Sequence, residues 1–128
     1  MTEKIVNDEA AFISDVLRSE AEAITRLAVR ISRDSPDSLD FAKAVDLICA
    51  CDGHLVVSGM GKSGLIGSKL SATFASLGQP SHFVHPAEAV HGDLGRIRSN
   101  DVVLLRSYSG ETEELLNFAA ILKADGVA

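Results

Sequence analysis

The stretch LVVSGMGKSG, residues 55–64, joins a short apolar run directly to a glycine turn that carries a lysine and a serine. A second stretch, VVLLRSYSG at residues 102–110, repeats this order with two serines in the turn. Each turn is followed by a segment of helical period, and another apolar run lies between them. Strands that alternate with helices predict a parallel sheet covered on both faces, which is an α/β three-layer sandwich.

Periodicity in the rest of the chain predicts the other elements. The first helix covers 7–32, and a second helix follows a Ser-Pro-Asp-Ser break, with Asp37 or Ser38 as its cap. The predicted strands are 54–58, 81–85 and 101–106, the later helices are 62–77 and 111–124, and 86–95 is a loop or short helix. The predicted organisation is N-terminal helices at 1–52 and an α/β part at 53–128.

The last residues bear on the size of the domain. After Gly126 only Val127 and Ala128 follow, at the point where a fourth strand should begin. A parallel sheet of about three strands would leave one edge and half a face uncovered. We therefore expect the front part of a larger, truncated α/β domain. The uncovered edge and the long first helix also predict self-association.

Composition excludes some classes of partner. The 128 residues carry a formal net charge of −6, whereas a nucleic-acid-binding protein needs a basic face. We expect no signal peptide, and no apolar run approaches the ~18 residues of a membrane span. Cys49 and Cys51 are expected to be reduced core residues, as free cysteines usually are. These features favour a cytoplasmic protein without a nucleic-acid or membrane partner.

The two polar turns predict a binding site for an anion. In an open parallel sheet, ligands lie outside the carboxyl ends of the strands, and helix N-termini there favour anions. A nucleoside triphosphate loop is excluded because Val56 stands where that motif needs glycine. Gly59, Gly61 and Gly64 fit a dinucleotide motif, but Glu88, the acidic residue nearest to the second strand, fits the ribose position poorly.

The second turn favours a compact phosphate monoester. Ser107, Ser109 and Thr112 place three hydroxyls around one helix start, and Ser63 adds a fourth from the first turn. Hydrogen bonds to a charged group contribute ~1.5–3 kcal/mol each, so three or four could hold a small ligand. The alternative is helix capping, with Ser109 as the N-cap, but capping accounts for only one of the hydroxyls.

Four stretches resemble the sugar isomerase (SIS) domain family, and within it the D-arabinose 5-phosphate isomerases. They are VVSGMGKSG, SATFASLGQPSHFVHPAEAVHGDLG, DVVLL and SYSGETEE, which cover most of 55–114. The resemblance implies a flavodoxin- or Rossmann-like fold, a homodimer or homotetramer, and no cofactor. It also implies interconversion of D-ribulose 5-phosphate and D-arabinose 5-phosphate through an enediol, in 3-deoxy-D-manno-octulosonate (Kdo) and lipopolysaccharide biosynthesis.

The resemblance also implies roles for particular residues. The phosphate would be held by the turn hydroxyls and two glycines, which are Ser63, Ser107, Ser109, Thr112, Gly61 and Gly110. The candidate catalytic residues are Lys62, Glu88, His91 and Glu114. Glu114 would be the base, His91 and Lys62 would polarise the carbonyl and open the sugar ring, and Glu88 would orient His91 or share the proton transfer. The first-turn position of Glu114 could equally reflect the helix dipole, and Lys62 could be a surface lysine.

Other interpretations stay open. No metal is required, although zinc could bind adventitiously at His85 and His91 and inhibit. Arg106 and Tyr108 depart from the residues usual in the family at those positions. The family continues beyond residue 128 into a C-terminal part and a pair of CBS domains. A non-catalytic or inactive sugar-phosphate-binding module is therefore the alternative to an isomerase.

Overall fold

The computed structural model describes residues 2–32 and 35–128, with the side chains from Asp8 onward within those ranges. The described residues form two compact units, one up to Val45 and one from Asp46 onward. The first unit contains α1, Thr2–Arg30, and most of α2, Pro36–Cys49. The predicted domain boundary at residues 52 and 53 stays a prediction.

Helix α2 begins earlier than the sequence predicted. Ser35 Oγ accepts the backbone N–H of Ser38 at 3.1 Å, so Ser35 caps the helix. The expectation that Asp37 or Ser38 caps α2 is therefore wrong. Proline is favoured at the first position of a helix, and Pro36 occupies that position here. Asp37 instead receives a hydrogen bond from Arg30 Nε at 2.8 Å.

The second unit is built on a parallel sheet of three strands in the order β2-β1-β3. The strands are β1 Leu55–Gly59, β2 Ser81–Phe83 and β3 Val102–Arg106. The helices are α3 Gly61–Ser76, α4 Pro86–Val90 and α5 Glu113–Ala124, with a 3-10 turn at Asp93–Arg96. The predicted parallel α/β fold is confirmed, and the element boundaries differ by one to a few residues.

Helices cover both faces of this sheet. On one face, Val56 packs with Val84, Phe118 and Leu122 in a buried cluster that brings α5 against the sheet. On the other face, α3 lies so close that a Cβ on Gly67 would be 3.2 Å from Val57 Cγ1. The second unit therefore has the three layers that the sequence predicted. At the outer edge of β3, the N–H of Val103 donates to the carbonyl of Ala128 at 2.8 Å.

The two cysteines do not lie in the core. Cys49 is exposed and Cys51 is half-buried, and both are free thiols. The prediction that both are core residues is therefore wrong, because the end of α2 and the loop after it lie at the surface. No helix among residues 2–32 and 35–128 has both the length and the apolar composition needed to cross a bilayer.

Candidate functional site

The two polar turns meet at the carboxyl edge of the sheet. Strands β1 and β3 are direct neighbours, and Gly59 at the end of one pairs with Arg106 at the end of the other. The turns that follow enclose a hollow of about 320 Å³, which we call the two-turn pocket. Its lining residues are Met60, Lys62, Ser63, Arg106, Ser107, Tyr108, Ser109 and Thr112.

Both helices that start at the two-turn pocket have open N-termini. Met60 before α3 and Thr112 before α5 are the N-cap residues, and neither makes a side-chain capping hydrogen bond. The first N–H groups of a helix have no partner inside the helix, so donors remain for a ligand. Gly61 and Gly110 have φ angles of 52° and 76°, a region that glycine enters without steric cost.

The hydroxyls of the second turn are close together. Ser107 Oγ accepts the N–H of Gly110 at 3.0 Å and lies 2.9 Å from Thr112 Oγ1. Ser109 Oγ accepts the N–H of Glu111 at 3.1 Å. The interpretation of Ser109 as the N-cap of α5 is therefore wrong, because the helix begins two residues later than predicted and Ser109 shapes the turn instead.

The charged groups around the two-turn pocket are basic. Lys62 lies in the first turn of α3 and Arg106 at the end of β3. Among the described residues, no carboxylate lines this pocket, although the whole chain carries a net charge of −6. Local cationic groups, hydroxyls and open N–H donors together form a surface that suits an anion.

A second hollow, of about 530 Å³, holds two of the predicted catalytic residues. We call it the α4–α5 groove, since those helices form its walls. His91 and Glu114 both line it. Its other lining residues are Pro86, Ala87, Val90, Asn117, Ala120 and Ile121. A carboxylate and an imidazole in a largely apolar groove are suitable for proton transfer.

The remaining predicted residues are spread around these hollows. Glu88 is exposed on α4 and lines neither the two-turn pocket nor the α4–α5 groove. Gly61 and His85 line a third hollow of about 460 Å³ beside α3. His85 and His91 thus line different hollows. Within the part of the chain that the structure describes, no group of three ligating side chains could hold a metal ion.

A polar cluster lies at the opposite, amino end of the sheet. Asp101 is buried, and its carboxylate accepts the N–H of His54 at 2.7 Å and of Arg98 at 2.8 Å. Burial acts to raise the pKa of Asp101, but these two donors and the neighbouring His54 and His82 outweigh it and leave the pKa below its ordinary value. The pKa of His82 is also lowered, chiefly by burial and further by Arg96 and His54.

Sequence reasoning missed several residues that line the hollows. Arg106 is not among the predicted phosphate-binding residues but lines the two-turn pocket, and strand alternation could have placed it on the same side as α3. Asn117 and Ile121 follow Glu114 on the same helix at helical spacing, so the helical period could have placed them on one face. No sequence pattern predicts the hydrogen bonds of Asp101, because its partners come from two separate loops.

Comparison with known protein families agrees with this geometry. Residues 48–128, more than half of the chain, match the SIS domain. The chain belongs to the SIS domain family. The two-turn pocket of this SIS domain lies wholly within the matched region, as does the α4–α5 groove.

Several relatives of this SIS domain are named arabinose 5-phosphate isomerase. The Arabinose 5-phosphate isomerase KdsD of Pseudomonas aeruginosa is 50% identical over 105 residues, covering 77% of this chain and 32% of that protein. The Arabinose 5-phosphate isomerase KpsF of Escherichia coli is 45% identical over 114 residues, covering 89% of this chain and 33% of that protein. The chain thus spans about a third of the length of these curated relatives.

A solved structure is also similar to this SIS domain. It is that of the c3406 protein of E. coli CFT073 in complex with arabinose 5-phosphate, with a TM-score of 0.68 and 44% sequence identity. The match covers 89% of this chain and 61% of that chain. The fold of the described residues is therefore that of an SIS domain.

Proposed function

We propose that this SIS domain serves an aldose–ketose isomerase that interconverts D-ribulose 5-phosphate and D-arabinose 5-phosphate. The observation that carries the proposal is the two-turn pocket, where Lys62, Arg106 and the turn hydroxyls surround a space of about 320 Å³ without an acidic lining residue among those described. A phosphate group is the ligand whose charge and acceptors fit such a surface. The names of the relatives supply the sugar.

The phosphate would serve as an anchor for the reacting carbons. In this proposal Ser63, Ser107, Ser109 and Thr112 hold it, with the backbone at Gly61 and Gly110. A fixed phosphate places the first two carbons at a set distance from it, which removes much of the entropic barrier. The SIS domain would therefore position the reacting carbons of the sugar before any of its side chains transfers a proton.

The proton transfer would use the carboxylate of Glu114 and the imidazole of His91, which both line the α4–α5 groove. Starting from ribulose 5-phosphate, Glu114 removes a proton from C1 while an acid, His91 or Lys62, protonates the oxygen on C2, which gives the enediol. Loss of the proton from the oxygen on C1 and return of a proton to C2 then gives arabinose 5-phosphate. Glu88 orients His91 or shares the transfer, and Lys62 or His91 opens the sugar ring.

The test is a coupled assay for D-arabinose 5-phosphate formed from D-ribulose 5-phosphate, run with a chelator. Glu114→Gln should lower kcat at least about a hundredfold, because it removes the base but keeps the size of the side chain. Glu113→Gln is the matched control, since Glu113 lies in the same first turn of α5 but does not line the groove. Equal turnover in the two variants would remove Glu114 from the mechanism.

A second candidate is a sugar-phosphate-binding module without chemistry. It is favoured by one observation: Lys62 lines the two-turn pocket, whereas His91 and Glu114 line the separate α4–α5 groove. Sugar phosphate would then raise the melting temperature of the protein without any turnover in the coupled assay. Turnover above the uncatalysed rate rejects this candidate.

The proposed enzyme is a cytoplasmic homodimer or homotetramer that serves Kdo and lipopolysaccharide synthesis. Support for self-association comes from the large apolar side chains that α1 exposes, which include Phe12, Leu17 and Ile24. Exposed apolar surface of this kind commonly marks an interaction site. Sedimentation as a monomer at micromolar concentration would contradict this part of the proposal.

A further inference from the structure

We infer that Arg106 is a second cationic contact for the phosphate group, beside Lys62, and that it makes the two-turn pocket selective for a doubly charged phosphate monoester. This inference rests on the proposed function for the identity of the sugar, but not for the presence of a phosphate site. It assigns a binding role to a residue that the sequence marked only as unusual.

The position of Arg106 follows from the register and alternation of the sheet. Val103 and Leu105 of β3 pack into the core cluster that includes Phe118 of α5. Side chains alternate along a strand, so Arg106 lies on the opposite face, which α3 covers. Because Arg106 pairs with Gly59 at the carboxyl end of β1, it reaches the space next to the start of α3.

Arg106 has no carboxylate partner within the described part of the chain, unlike several other arginines. Arg26, Arg30 and Arg96 each form an ion pair with an acidic residue at 3.6, 2.8 and 3.0 Å. Arg106 is half-buried and lines the pocket together with Lys62. An anion bound in this pocket would face both cationic side chains, and Coulomb attraction to each would favour its binding.

The charge of a phosphate monoester matches this arrangement. Such a group carries about −1.5 to −2 charges at neutral pH and three acceptor oxygens. A guanidinium can donate two parallel hydrogen bonds to one such group, while an ammonium acts as a point charge. The hydroxyls of Ser107 and Thr112 have neutral partners and could orient the phosphate, but they cannot balance its charge. Lys62 and Arg106 are the cationic side chains that line the pocket and can balance that charge.

The test compares Arg106→Gln with Arg98→Gln as a matched control. Arg98 is an exposed arginine that lines the hollow at the amino end of the sheet. Dissociation constants are measured by calorimetry for inorganic phosphate and for D-arabinose 5-phosphate, at low and at high NaCl concentration, about 50 mM and about 500 mM. We expect Arg106→Gln to raise both constants at low salt about tenfold to a hundredfold, and Arg98→Gln to change them less than about twofold.

Two readouts separate a phosphate contact from a structural role. Added salt should weaken binding more in the parent protein than in Arg106→Gln, because the variant has already lost one charge contact. Arg106→Lys should recover part of the affinity because it keeps the charge and loses the planar fork. In the coupled assay, Arg106→Gln should raise KM and change kcat less than about threefold. A folded Arg106→Gln protein with parental affinity and parental salt dependence would overturn the inference.

These experiments distinguish a failure of the inference on Arg106 from a failure of the isomerase proposal. If the parent binds phosphate, Arg106→Gln weakens that binding and no isomerase turnover is found, the inference on Arg106 stands and the isomerase proposal fails. If turnover is found but Arg106→Gln has parental KM and affinity, the isomerase proposal stands and the inference fails. A parent protein that binds neither phosphate nor arabinose 5-phosphate at millimolar concentration overturns the inference.

Discussion

Ser107 Oγ and Thr112 Oγ1 lie 2.9 Å apart across the turn that joins β3 to α5. The two hydroxyls are five residues apart in the chain, and Ser107 also accepts the N–H of Gly110 at 3.0 Å. This contact closes the turn around Gly110 and leaves both hydroxyls at the rim of the two-turn pocket. A turn that is already closed loses less conformational entropy when it binds a ligand.

The first prediction concerns this contact. Thr112→Val should weaken phosphate binding about tenfold, because the hydroxyl is lost while the shape of the side chain is kept. The free energy of unfolding should fall by no more than about 1 kcal/mol, since the turn is exposed. Binding is measured by titration with inorganic phosphate, and stability by urea denaturation.

Thr73→Val is the matched control for this variant. Thr73 Oγ1 donates to the carbonyl of Lys69 at 3.0 Å on the exposed side of α3, away from the pocket. It should bind phosphate like the parent protein. If both threonine variants bind equally well, Thr112 has no part in the site.

The second prediction concerns the close approach of α3 to β1. A Cβ on Gly64 would lie 2.6 Å from the backbone carbonyl oxygen of Gly59, a distance that requires the backbone to move. Gly64→Ala should therefore lower the free energy of unfolding by about 1–3 kcal/mol and weaken phosphate binding, because the start of α3 lines the pocket. Urea denaturation and phosphate titration measure the two effects.

Gly95→Ala provides the comparison for this substitution. A Cβ on Gly95 would meet nothing within 4 Å, so its replacement should change the stability by less than about 0.5 kcal/mol. Equal stability of the two alanine variants would show that α3 can move away from β1 without cost.

The third prediction concerns the buried carboxylate at the amino end of the sheet. Asp101 fixes two loops by accepting the N–H groups of His54 and Arg98. Asp101→Asn should lower the free energy of unfolding by about 1.5–3 kcal/mol, because an amide replaces a charged acceptor with a neutral one and a donor. Asp93→Asn, in an exposed pair with Arg96, should cost less than about 1 kcal/mol.

The same carboxylate predicts a response to acid. The pKa of Asp101 is lower in the folded protein than its ordinary value, so its stabilisation is present above about pH 4 and is lost as the pH falls below that. Asp101→Asn should remove this part of the acid response. If parent and variant lose stability in parallel between about pH 5 and pH 2.5, the carboxylate is not the group that titrates.

The fourth prediction concerns His82 on β2. Its Nε2 atom is buried without a hydrogen-bond partner in the described structure, and its pKa lies below the ordinary value of about 6.5. The unfolded chain therefore binds a proton on this residue more readily than the folded chain. Stability should be fully present above about pH 6.5 and should fall as the pH drops below that value.

His82→Phe tests this response. The variant removes both the titrating group and the unpartnered nitrogen. The free energy of unfolding of the variant minus that of the parent should therefore increase as the pH is lowered from about 7.5 to about 5. Denaturant unfolding at several pH values measures the difference. A difference that does not change with pH would mean that His82 is not responsible for the slope.

Local signals in the sequence determined much of this fold. Apolar runs followed by glycine turns predicted β1, α3, β3 and α5, because strand and helix periods are properties of neighbouring residues. The meeting of the two polar turns also followed, since parallel strands put the turns after them at one edge. The boundary error at α2 came from capping, because Ser35 caps the helix that Asp37 or Ser38 was predicted to cap. The error at α5 came from the turn before it, where Ser107 and Ser109 accept the N–H groups of Gly110 and Glu111.

Only the tertiary structure decided which of these residues share a space. It brought His91 and Glu114 into one groove, placed Lys62 with Arg106 in another hollow, and left Glu88 exposed on α4. It also brought the carboxylate of Asp101 to the backbone N–H of His54, which lies far earlier in the chain. The physical reason is that hydrogen bonds and charge contacts depend on distances of a few ångströms between segments far apart in the chain, whereas sequence periodicity records only which face of its own element each side chain occupies.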